Sequence, residues 1–205
     1  MVTSYRSLYR SYGVLGLPGL IKDYALTKLT WPRARLMRRP LYLRGTRWMT
    51  LGDGFTCGRG LRMEVFAEPG TKTPLLRIGS NVQMNDYVHI AAAKSVSIGD
   101  RVLIGSKVHI TDHNHGCYNE LLGPDDTPLT PPSKRRISCR SVAIEEDVWL
   151  GESVVVLPGV TIGKGAVVGA LSAVTRDIPA YSIAIGSPAR IIKRYNFDTN
   201  TWVRV

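Results

Sequence analysis

A chain of 205 residues, 44% hydrophobic and 21% charged, holds enough apolar material for one sizeable domain and is too ordinary in composition for a disordered or fibrous protein. It has no run of about 18 apolar residues to span a membrane. Its one apolar stretch near the start, Val14 to Ile21, is broken by Gly16, Pro18 and Gly19, which argues against a secretory signal. Cys57, Cys117 and Cys139 form neither a CxxC pair nor a metal spacing, and their odd number fits a reducing, cytoplasmic setting.

The formal net charge is +11 and unevenly spread: residues 1–47 hold ten of the 27 Lys and Arg beside one acid, Asp23. A segment of that kind attracts phosphate, on a membrane surface or on nucleic acid. No nucleic-acid recognition motif accompanies the charge, which leaves two readings of the segment, a peripheral membrane anchor or a solvated basic cap over an open end of the fold. Tyr5, Leu8, Tyr9 and Tyr12 fall at helical spacing, and Pro18, Pro32 and Pro40 punctuate the segment, so one or two short helices are expected.

A six-residue period follows. An imperfect set, LGDGFT, CGRGLR, MEVFAE, precedes twelve regular hexads opened by Ile78, Met84, Ile90, Ile98, Ile104, Ile110, Ile144, Leu150, Val156, Ile162, Val168 and Val174. The second position is Gly in six of these twelve, and the fifth is Val in seven: Val82, Val88, Val102, Val108, Val148, Val154 and Val160. Six is neither a helix period nor a plain alternation. It suits short strands joined by tight corners, three to a coil, with the first residue inside and Gly supplying a corner conformation that Cβ forbids. The expected fold is an all-β parallel β-helix of hexapeptide repeats over 48–190, with a loop insertion over 116–141 and a C-terminal tail over 191–205 carrying a short helix. In the insertion, Pro124, Pro128, Pro131 and Pro132 exclude a helix.

The insertion leaves the repeat directly after Thr111-Asp112-His113-Asn114-His115. Two histidines at the mouth of a long loop on a rigid scaffold form a candidate catalytic centre, and imidazole is a natural base for a hydroxyl.

The stretch IEEDVWLGESVVVLPGVTIGKGAVVGALSAVTRDIP, followed by GSPARIIK, resembles the C-terminal coils of the maltose, galactoside and xenobiotic acetyltransferases. The whole chain, with NDYVHIAA, DHNHG, Tyr195-Asn196 and Trp202, is similar to the O-acetyltransferases of bacterial lipopolysaccharide and surface-polysaccharide biosynthesis. The resemblance implies a left-handed β-helix, a homotrimer with sites between subunits, and direct transfer from acetyl-CoA to a sugar hydroxyl. It implies that His113 is the general base, with His115 and Asp112 beside it. Gly151 or Glu152 would supply an oxyanion-binding amide, and Trp149 would lie against the thioester arm. Gly169 and Ala170 match the pantetheine stretch, Thr175 and Arg176 the adenosine end, and Arg190 and Lys193 the cations that meet CoA phosphates. Asn85, Asp86 and Tyr87 are acceptor-binding candidates, Tyr87 standing where galactoside-type enzymes have Asn. Leu171 likewise departs from the family's small residue or Asn. No metal is expected.

A second reading stays open. His89 and His109 both end a hexad, lie twenty residues apart and should stack. With a third histidine from another subunit they would suit zinc, as in a γ-carbonic-anhydrase-like protein on the same scaffold. Among acetyl acceptors, a small sugar or a nucleotide sugar is the alternative to a lipid-linked glycan.

Overall fold

All twelve residues that open the main hexads are buried, none more than 3% exposed, and so are the seven fifth-position valines. They form the stacked interior of a parallel β-helix in a computed structural model that describes residues 5–118 and 127–205. Three strand faces enclose this core. The first runs through Leu36–Met37, Thr56–Cys57, Gln83–Met84, Leu103–Ile104, Trp149–Leu150, Val167–Val168 and Ser182–Ile185. The second runs through Leu41–Arg44, Leu61–Val65, His89–Ala92, His109–Thr111, Val155–Val156 and Ala173–Val174. The third runs through Met49–Leu51, Leu76–Ile78, Val96–Ile98, Val142–Ile144 and Thr161–Ile162. Each strand pairs with its equivalent one coil away, Ile90 with Ile110 and Ile104 with Leu150. The coil is left-handed.

Two corners are built alike and the third is not. Asn81, Arg101 and Asp147 stack at the corner from the third face to the first; Tyr87, Lys107, Ser153 and Leu171 stack at the corner from first to second. All seven hold φ between 57° and 62°. The left-handed conformation therefore sits at the fourth position of the hexad. This corrects the expectation that the second-position glycines supply it. Those glycines stand where coils touch: a Cβ on Gly99 would lie 2.5 Å from the Glu146 nitrogen, and one on Gly105 2.7 Å from the Glu152 nitrogen. Gly105→Ala is expected to cost about 1–3 kcal/mol, as overpacking against rigid backbone does. Calorimetry checks this, and an alanine variant melting with the parent would show that the coils can part there. The third corner, between second and third faces, has no fixed turn, and chain segments of varied length leave the stack at it, among them 66–75, 93–95 and 112–141.

The ends differ from the expectation in instructive ways. Residues Tyr5–Thr30 are helical in two pieces, divided at Gly13 (φ 61°, ψ −176°), with Pro18 in the second. Thr27, fully buried, accepts a hydrogen bond from the Met37 amide (2.9 Å), so the helix covers the edge strand Leu36–Met37. Parallel pairing already begins at that strand, within the segment that charge marks off as 1–47. Charge is a surface property and does not mark where a core begins. The expected C-terminal helix is an antiparallel hairpin, Arg190–Asn196 with Thr201–Arg204, joined to the first face through Ser182–Ile185. The Asn196 side chain accepts from the Asp198 and Thr199 amides to close its turn, and Tyr195 packs against Trp202 across the strands (5.3 Å between rings). In the insertion, Pro132–Lys134 makes a single 3-10 turn with Pro at its start; Pro124 lies outside the described residues. Among the described residues no helix is long and apolar enough to cross a membrane.

Candidate active site

At the third corner the short connection Ala93-Lys94-Ser95 turns three successive amides onto one carboxylate. Asp112 Oδ1 accepts from Ala93 N (2.8 Å), and Oδ2 accepts from Lys94 N and Ser95 N (2.7 Å each). Such a nest of backbone donors is an anion site, and Asp112 fills it fully buried. Burial works to raise its pKa. The His113 ring and the three amides outweigh that, and the carboxyl titrates below its ordinary value. Asp112 is thus the ionised acceptor for His113 Nδ1, 3.0 Å away. An ionised acceptor at Nδ1 requires the proton on that nitrogen, which leaves Nε2 as the free base. Phe66 meets the His113 ring edge to face at 5.6 Å, and Arg44 lies over Phe66 (5.0 Å), so the imidazole is braced from the side as well.

His113, Asn114 and His115 form a strand paired with Ile137–Cys139, so the insertion leaves on a two-stranded ribbon. Alternation puts His113 and His115 on one side of it. Both line a cleft of about 420 Å³ on the outer side of the second face, whose walls are Glu64, Phe66, His89, Ala91, His109, Thr111, Asn114 and Leu157. Glu64 and Phe66 carried no signal in the sequence, because the period marks inward positions and both point outward from an imperfect early coil. His89 and His109 are register partners with rings 4.8 Å apart. His89 Nε2 lies 3.2 Å from Glu64 Oε2, which also takes a hydrogen bond from Arg62 Nε (2.7 Å). Burial, then the neighbouring His89 and His113, lowers the His109 pKa. The two rings therefore serve as polar wall, one bonded to a carboxylate and the other favoured neutral. Among the described residues no group of three or more His, Cys, Asp or Glu is placed to hold a metal ion.

The other expected site residues lie elsewhere. Asn85, Asp86, Tyr87, Gly151, Glu152, Gly169 and Ala170 share the first-to-second corner, in a column across successive coils. Asp86 accepts the amide of Arg59 one coil away (2.6 Å), so one of its oxygens ties two coils together. Trp149 stands exposed on the first face beside Leu103, and Leu171 is exposed at the corner above. Thr175 and Arg176 follow the second face at its His113 edge, and Arg190 and Lys193 lie on the hairpin that extends the first face. Asp112, His113 and His115 are thus brought together at one edge of the second face. Trp149 and the glycine corner lie across its opposite edge and do not meet them within one chain.

Triangular coils of six-residue repeats thus carry an Asp–His pair at the mouth of a loop. A family model described as bacterial transferase hexapeptide (six repeats) matches residues 141–176. The Escherichia coli protein WbbJ, named for lipopolysaccharide biosynthesis O-acetyl transfer, is 44% identical over 195 residues, spanning 95% of this chain and 96% of its own. The chain belongs to that family of acetyltransferases. Galactoside O-acetyltransferase of the same organism is 36% identical over 121 residues, 59% of this chain and 55% of that enzyme. A single-residue variant of AntD, an N-acyltransferase of Bacillus cereus crystallised with dTDP-4-amino-4,6-dideoxyglucose and coenzyme A, shares the fold. Its TM-score is 0.66 at 19% identity, over 85% of this chain and 90% of its own.

Proposed function

We propose that this chain transfers acetyl from acetyl-CoA to a sugar hydroxyl of a lipopolysaccharide, O-antigen or other surface-polysaccharide precursor carried on a lipid. The observation that carries the reading is the imidazole of His113 with Nδ1 fixed on buried Asp112 and the ring lining an open cleft. Nε2 takes the proton of the acceptor hydroxyl as its oxygen bonds to the thioester carbonyl carbon. The tetrahedral oxyanion is held by a backbone amide at Gly151 or Glu152. Collapse breaks the C–S bond, and the imidazolium returns its proton to the departing CoA thiolate. His115 and the corner residues Asn85, Asp86 and Tyr87 contact the acceptor. Trp149 lies along the thioester arm, Gly169 and Ala170 along pantetheine, Thr175 and Arg176 near adenosine, and Arg190 and Lys193 at the phosphates, where exposed cations suit them. Transfer of labelled acetyl from acetyl-CoA to the host's lipid-linked glycan tests the reading. Label appearing only in a nucleotide sugar or a free sugar would replace the acceptor named here.

The active form in this reading is a homotrimer in the cytoplasm, at the inner face of the membrane, with residues 1–47 as the basic segment turned to that surface. The separation of Trp149 from His113 supports the trimer, since one copy's thioester residues would complete its neighbour's base. Mixing inactive His113→Ala subunits with Trp149→Ala subunits, unfolded and refolded together, is then expected to restore about one quarter of the sites, each needing one intact residue from each of two copies. Mixtures as inactive as their parents would place each site within a single chain.

A further inference from the structure

We infer that the outer face of the N-terminal helix is a docking surface for an anionic lipid bilayer. The inference deepens the membrane-face placement just proposed and rests on it for its purpose, while its observations are independent of the acetyl-transfer site.

The helix after the Gly13 kink leaves an apolar stripe outward. The side turned to the protein carries Asp23 and Thr27, both buried, with the half-buried Leu20 and Leu26 beside them. Arg39 follows to meet Asp23, its amide 3.3 Å from Oδ2. The side turned outward carries Val14, Pro18, Ile21, Ala25 and Leu29, spaced four, three, four and four residues apart, which is one stripe of a helix. Val14 is 67% exposed, Ile21 64% and Leu29 81%, and Leu15 at the stripe's margin is 96% exposed. A helix packed only for stability would turn these residues in.

The charge on this face chooses the occupant. Arg10 and Lys22 are exposed along the helix and Arg35 just beyond it, Lys28 caps the helix end on the Pro32 and Ala34 carbonyls (3.2 and 2.7 Å), and the helix's one acid, Asp23, is buried on the other side. A second copy docking by the same stripe would bring cations onto cations with no acid to meet them. An apolar stripe with cationic borders and no exposed acid fits acyl chains beneath anionic headgroups. Since no helix among the described residues is apolar enough to cross a membrane, this one would lie in the interface.

Flotation of the full-length protein with vesicles of phosphatidylglycerol and phosphatidylethanolamine, against vesicles of phosphatidylcholine alone, tests the inference. The protein should float with the anionic vesicles only, less so as salt rises. Val14→Asp/Ile21→Asp/Leu29→Asp should weaken that binding by about tenfold or more, as should Arg10→Glu/Lys22→Glu. Thermal stabilisation by acetyl-CoA, unchanged in both variants, would show that they are folded. A parent that stays with neither vesicle, or variants that float as the parent does, would overturn the inference. So would a parent assembly that falls apart in the apolar-stripe variant while lipid is ignored, because the stripe would then join copies. Acetyl transfer to a detergent-dispersed lipid-linked glycan, assayed in parallel, reports on the activity separately: its failure with flotation intact would sink the acceptor and leave the docking face.

Discussion

His113→Ala is expected to lower turnover by about 10²–10⁴-fold, the range over which a positioned general base acts, with folding and acetyl-CoA binding retained. The fold should survive because His113 is not what satisfies Asp112. The three amides of Ala93, Lys94 and Ser95 still hold the carboxylate after the ring is gone, and the hexad positions that make the core are untouched. Binding should survive because the residues assigned to the pantetheine and phosphates lie at another corner and on the hairpin. Steady-state assays with saturating acceptor read the first claim. Thermal shift reads the second, since a ligand at about 100 times its Kd stabilises the native state by about 2.7 kcal/mol. A variant that turns over like the parent would remove His113 from its role, and one that no longer shifts with acetyl-CoA would relocate the donor site.

How far such a site can be read from sequence depends on which way its residues point. From Ile78 to Val174 every residue that opens a hexad points inward, across both the two-residue step at Val96-Ser97 and the insertion over 116–141, so the fold was legible there. The glycine column was legible as a pattern but misassigned in cause, because composition shows that Gly recurs and not whether φ or contact requires it. That His113 stands at the mouth of the insertion was legible from its place in the chain. Its partner's setting was not: the nest that fixes Asp112 comes from backbone amides of Ala93, Lys94 and Ser95, whose side chains carry no trace of the job. Phe66 was invisible for a related reason, since it reaches His113 from outside the period. The coil's hand was not legible either. General chain sterics favour right-handed crossovers, and only resemblance pointed the other way. The tail differs from the expected helix because Phe197-Asp198-Thr199-Asn200 turns between two strands rich in β-branched and aromatic residues, Ile191, Ile192 and Tyr195 on one and Trp202 and Val203 on the other, with Tyr195 facing Trp202.

Asp112→Asn is expected to cost activity nearly as heavily as loss of the base, about 10³–10⁴-fold, by turning the ring rather than removing it. Every partner of Asp112 is a donor: the Ala93, Lys94 and Ser95 amides and His113 Nδ1–H. An asparagine has one acceptor oxygen to offer them. With that oxygen on Lys94 and Ser95, its NH2 faces the Ala93 amide and the imidazole. The NH2 can then bond only to an unprotonated Nδ1, which moves the ring proton to Nε2 and leaves no base toward the cleft. The same substitution strands a buried donor and should cost about 3–5 kcal/mol of stability at neutral pH, as breaking a buried charged pairing does. The sign of its pH dependence follows from the direction of the shift. Asp112 titrates lower in the folded protein than in the unfolded chain, so its stabilisation is complete above the unfolded carboxyl's pKa of about 3.9 and fades as pH falls below it through the folded value. Denaturant unfolding of parent and variant should show a constant gap from neutral pH down to about pH 5 that narrows below about pH 4. An equal gap at pH 3 and pH 7 would mean that the carboxylate's charge is not what the nest holds. Parental turnover in the asparagine variant would mean that His113 keeps its working tautomer without Asp112.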